Sequence, residues 1–115
     1  KHILKRPRPM GVALIEETGF SFPSAHTMGS VVFYGFLVFL IWKYFKNKPI
    51  KIVLSVLLPI FALLIGYTRV YLGVHYFTDV LAAFLAGCAY LAVAIVLFIF
   101  LEKKIKFKRG NYEKK

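Results

Sequence analysis

Three long uncharged runs divide the chain: Thr27 to Trp42, Ile52 to Thr68 and Val80 to Leu101, of 16, 17 and 22 residues. A helix needs about 20 predominantly apolar residues to cross a bilayer. Pro23 and Ser24 suit a helix start, with Ser24 as the cap, and they bring the first run close to that length. Trp42 and Tyr44 fall where interfacial aromatics belong. Lysines 43, 46, 48 and 51 fill the next connection, and Asn47 and Pro49 mark its turn. Pro59 lies inside the second run, where a membrane helix tolerates it as a kink. Ala82, Ala83, Ala86 and Gly87 offer a close-approach surface on the third. The pattern predicts an all-α integral membrane bundle with three transmembrane helices, at 23–44, 52–71 and 79–101. Residues 1–22 form a loop, and 102–115 read as a mobile basic tail.

Composition agrees with that reading. The chain has 115 residues, 59% of them hydrophobic, and a mean hydropathy of +0.68, which makes it one domain or part of one. Its formal charge of +11 suits nucleic acid, a membrane surface or an anionic substrate. The apolar runs favour the last two, and the chain carries no nucleic-acid-binding motif. Cys88 is the single cysteine, so it forms no disulfide within the chain and reads as a small buried hydrophobe. If all three runs span, the lysine connection and the basic tail share one side, which the positive-inside rule makes cytoplasmic. Residues 1–22, His26 and the segment Arg69 to Asp79 then face outward. The basic stretch Lys1 to Pro9 runs against the charge rule there, and calls for a local anionic partner.

The titratable residues fall at the ends of the runs. In Thr68-Arg69-Val70-Tyr71-Leu72-Gly73-Val74-His75-Tyr76-Phe77-Thr78-Asp79, the His75–Asp79 spacing places both side chains on one face of a helix. A carboxylate there fixes the imidazole tautomer and leaves the other nitrogen free to attack. The pair also fits a purely structural His–Asp contact at a helix start. Gly73 separates Arg69 from His75 as a helix breaker. His26 lies in the first turn of the first helix, whose free N–H groups suit a phosphate. Lys1, Arg8, Ser24, His26, Arg69, His75 and Asp79 thus gather at one end of the bundle. Cations, helix N–H donors and two histidines are the parts of phosphoryl transfer without a metal. A two-metal site needs clustered carboxylates, and of the five here only Asp79 lies in a motif.

This set resembles the type 2 phosphatidic acid phosphatases (PAP2), whose pattern is K-x6-R-P, then P-S-G-H, then S-R-x5-H-x3-D. Lys1 through Arg8-Pro9 matches the first part. Pro23-Ser24-Ala25-His26 matches the second, with Ala25 for glycine. Thr68-Arg69 through His75 and Asp79 matches the third, with Thr68 for serine. The resemblance implies a six-helix membrane fold with an outer-face site, of which this chain is the C-terminal half carrying all three motifs; three N-terminal helices of the same protein are expected besides. It implies that His75 is the nucleophile forming a phosphohistidine, that Asp79 orients it and that His26 is the acid for the leaving group. It implies too that Lys1, Arg8, Ser24, Ala25 and Arg69 bind the phosphate, Ala25 through its backbone N–H, and that no cofactor or metal is needed.

The expected activity is hydrolysis of a lipid phosphate or pyrophosphate in a bacterial plasma membrane. The candidate substrates are phosphatidylglycerol phosphate, undecaprenyl pyrophosphate and phosphatidate. The competing class is a non-catalytic membrane module that binds anionic lipid, which explains the lysines but not the placement of His26, His75 and Asp79. A third reading is the soluble vanadium haloperoxidase branch, which shares such a site; the three apolar runs argue against it.

Overall fold

The structure, a computed structural model, describes residues 5–11 and 22–115. Three helices follow in order: α1 (Ala25–Tyr44), α2 (Lys48–Tyr71) and α3 (Phe77–Glu113). Each is long and apolar enough to cross a membrane. The fold is therefore the expected all-helical, three-span bundle. α1 packs along both other helices, which themselves barely meet, so α1 is the common spine.

The helix boundaries differ from the sequence expectation for local reasons. α2 begins at Lys48 rather than residue 52, because the Asn47 side chain accepts the Ile50 N–H at 3.2 Å and Pro49 occupies the first turn. The connection is then only Phe45 to Asn47. α2 runs unbroken through Pro59. α3 continues through the basic tail to Glu113, so residues 102–113 are helix rather than a loose tail. Lys and Glu are good helix formers, and Glu102 takes Lys106 at 2.9 Å along its own helix. Glu102 also takes Lys43 of α1 at 2.6 Å, which ties that end of α3 to the spine. At the same end, Trp42 donates its indole N–H to the Ser55 hydroxyl at 2.6 Å, and Lys51 lies over the Trp42 ring.

Small residues set the spacing of α1 against the others. Ala83 is fully buried, and Gly87, four residues on, faces α1. A Cβ on Gly87 would lie 2.9 Å from the Val31 Cβ, closer than β-branched Val31 can yield by a rotamer change. Gly66 is the point where all three helices meet, beside Thr27, Val80 and Phe84. Phe36 and Phe39 of α1 hold Phe98 of α3 edge-on, each with centroids 5.6 Å apart. Cys88 is exposed on α3 rather than buried. Many large apolar side chains of α2 and α3 are likewise exposed, as befits surfaces whose solvent is lipid or another helix.

Candidate active site

The start of α1, the end of α2 and the start of α3 lie together, joined by the Ser24 N–H donating to the Asp79 carbonyl at 3.3 Å. α2 closes with the Leu72 N–H on the Thr68 carbonyl and the Gly73 N–H on Val70. Gly73 then adopts φ 72°, a left-handed turn that suits glycine. The His75 N–H folds back to the Arg69 carbonyl at 3.3 Å, which seats His75 against the end of α2.

His75 therefore lies in the turn before α3 and not on the helix, which corrects the expectation of a shared helical face. The two side chains meet through a capping turn instead. Asp79, in the first turn of α3, accepts the Tyr76 N–H on Oδ2 at 2.7 Å. The same oxygen lies 3.7 Å from His75 Nδ1, long for a hydrogen bond but close enough for the carboxylate's charge to act on the ring. Both side chains are fully buried.

Arg8 completes the surroundings of His75. Its Nη1 donates to the Val74 carbonyl at 3.0 Å and lies 3.3 Å from His75 Nε2. A guanidinium has donors only, so Nε2 is the acceptor in that contact. A hydrogen bond there requires the proton on Nδ1, the nitrogen that faces Asp79. This is the tautomer that leaves Nε2 with a lone pair. Arg69 is buried at the end of α2, and the like charge of Arg8 bears on it. Two guanidinium groups close enough to repel each other, one of them at His75, form a place where an anion is stabilised.

The remaining expected residues are placed less uniformly. Ser24 is fully buried at the cap position of α1, but its hydroxyl accepts from the Thr27 hydroxyl at 3.1 Å and makes no cap bond to the helix backbone. Ala25 and His26 stand exposed in the first turn of α1, brought near by the chain through Ser24 rather than by a contact of their own. Thr68 spends its hydroxyl on the Ile65 carbonyl at 2.7 Å. Lys1 lies outside the described residues.

Arg6 went unmarked in the sequence. It donates to Asp79 Oδ1 at 3.0 Å and to the Thr78 hydroxyl, and its guanidinium lies 4.3 Å from the centre of the Tyr76 ring. The sequence marked Lys1 to Pro9 as a basic stretch in need of an anionic partner, and nothing in it singled out Arg6.

With this geometry in hand, the comparisons identify the class of protein. The sequence model of the PAP2 superfamily matches residues 1–106, and the chain belongs to that superfamily. Among individual relatives, it is 35% identical to phosphatidylglycerophosphatase B of Bacillus subtilis (strain 168) over 117 residues, covering all of this chain and 53% of that protein. It is 40% identical to phosphatidylglycerophosphatase B of Haemophilus influenzae over 95 residues, covering 79% of this chain and 36% of that one. A crystal structure of a transmembrane PAP2 type phosphatidylglycerolphosphate phosphatase from Bacillus subtilis superposes with a TM-score of 0.73 at 34% identity, over 89% of this chain and 52% of that one. The chain thus spans about half the length of the first of these relatives and about a third of the second.

Proposed function

We propose that the whole protein is a metal-independent membrane phosphatase acting on a lipid phosphate or pyrophosphate, with phosphatidylglycerol phosphate the first substrate to try. The observation that carries this reading is the buried His75 with Asp79 behind Nδ1 and Arg8 at Nε2. The names of the two relatives support the head group. An apolar groove of about 830 Å³ along α1 and α3, with Ala25 at one end and Leu101 at the other, offers surface for an acyl chain. A module that only binds anionic lipid would have no use for a histidine held in one tautomer.

In this mechanism Nε2 of His75 attacks phosphorus and forms a phosphohistidine. Arg8 leaves Nε2 for the phosphate oxygens as substrate enters, and Arg69 and Lys1 share the charge with it. Ser24 and the Ala25 N–H hold a further oxygen. His26 protonates the departing oxygen, and water then releases phosphate from His75. Further helices of the same protein complete the bundle.

The metal-free mechanism draws on the sequence, where of five Asp and Glu only Asp79 lies in a motif. In the full-length protein, phosphate release is expected to survive EDTA and to be blocked by vanadate, which mimics the five-coordinate phosphoryl centre. Activity lost in EDTA and restored by magnesium would overturn it.

The site is proposed to face outward across a bacterial plasma membrane, on the charge of the Lys43 to Lys51 connection and of residues 102–115. Single cysteines in a Cys88→Ser background test this in intact cells. An impermeant maleimide is expected to label Gly19→Cys and to spare Asn47→Cys. The opposite labelling would invert the topology.

A further inference from the structure

We propose that Arg6 is a positioning residue of the reaction, acting on His75 through Asp79, and this rests on the phosphatase reading above. Asp79 has two oxygens and the structure divides their work. Oδ2 takes the Tyr76 N–H at 2.7 Å and faces His75 Nδ1, while Oδ1 takes Arg6 at 3.0 Å. A carboxylate held by the Tyr76 N–H alone is free to rotate about its last bond and turn Oδ2 away from the imidazole. A second, charged anchor on Oδ1 removes that freedom. Arg6 is itself held by Asp79, by the Thr78 hydroxyl and by the face of Tyr76.

The division of labour between two arginines follows. Arg8 addresses the reacting edge of His75, at Nε2, and Arg6 addresses the carboxylate behind it. Residues 5–11 thus reach the nucleophile from both sides, and the short segment Arg6-Pro7-Arg8 couples the phosphate-binding arginine to the group that orients the attack. A residue that merely added charge for substrate would point at the anion. Arg6 instead makes its charge contact with a side chain that is 0% exposed.

The test uses the full-length enzyme in detergent or vesicles. Arg6→Gln is expected to lower kcat about 100-fold while KM and the vanadate inhibition constant stay within about 2-fold, since the loss is one of alignment. Arg6→Lys, which keeps the charge, is expected to recover most of the rate. In an Asp79→Asn background Arg6→Gln is expected to cost less than about 3-fold, because the group it acts on is already altered. A raised KM or vanadate constant with kcat unchanged would make Arg6 a phosphate contact and overturn the proposal, as would losses that simply multiply in the double variant. A second measurement needs no turnover. In protein labelled with ¹⁵N-histidine, the His75 ring is expected to show the Nδ1–H tautomer, and Arg6→Gln to show a mixture. An unchanged tautomer in Arg6→Gln sinks the positioning role even if no lipid phosphate proves to be a substrate, whereas a shifted tautomer in a protein without phosphatase activity would sink the reaction and leave the Arg6–Asp79–His75 linkage standing.

Discussion

Replacing His75 by alanine in the full-length enzyme is expected to reduce turnover at least about 10,000-fold and to leave no labelled phosphoenzyme. The reason lies in what occupies the site. Nε2 of His75 is the nitrogen that Arg8 approaches, and Asp79 lies behind the opposite nitrogen. The imidazole is thus buried with its Nε2 edge presented to the Arg8 guanidinium, whose charge in turn bears on the buried Arg69. In the proposed mechanism alanine removes the atom that accepts phosphorus and keeps the cations proposed to bind it, so substrate affinity should fall far less than kcat. Acid quench after incubation with ³²P-labelled substrate reads the intermediate directly. A phosphoenzyme that persisted in His75→Ala and vanished in His26→Ala would invert the assignment of the two histidines. Full activity in His75→Ala would return the chain to the lipid-binding reading.

The spans were legible because apolar length is a one-dimensional property, and each uncharged run became a helix. Their ends were less so. The Asn47 cap and Pro49 draw lysines 48 and 51 into α2, although a lysine-rich stretch reads as a connection. Helix propensity and the Glu102 ion pairs carry α3 through charges that mark the end of an apolar run but not the end of a helix. In the site, the spacing of His75 and Asp79 correctly paired them, but for a different local reason. Gly73 at φ 72° ends one helix, and Asp79 caps the next from inside its first turn, so the pair is bridged by a turn and not by a helical face. Ser24 sits at the foreseen cap position, while its hydroxyl turns to Thr27. Arg6 was hidden because it lies in an irregular segment, where no period assigns a direction to a side chain, and its partner Asp79 is 73 residues away. The contact between them is a tertiary fact with no local trace.

His26 is expected to be distinguished from His75 by the leaving group. It stands exposed in the first turn of α1, beside the buried Ser24 whose N–H is tied to Asp79 at the start of α3. That position places it at the shared end of the three helices but outside the buried pair, which suits a group that meets the departing part of the substrate and not its phosphorus. An alkoxide departs poorly unless protonated, and general acid catalysis is worth about 100- to 10,000-fold for such groups. His26→Ala is therefore expected to slow hydrolysis of a lipid phosphomonoester about 1,000-fold. With p-nitrophenyl phosphate, whose leaving group departs without a proton, the loss should shrink to within about 10-fold. Labelled phosphoenzyme should still form from the activated substrate, because attack by His75 needs no proton from His26. The comparison is made on one enzyme preparation with two substrates, so a folding defect lowers both rates together and is recognised by that. Equal losses on both substrates from protein with an unchanged melting profile would remove the acid role and make His26 a phosphate-binding residue. A loss confined to the lipid ester would show that the proton it delivers is the one the glycerol oxygen takes.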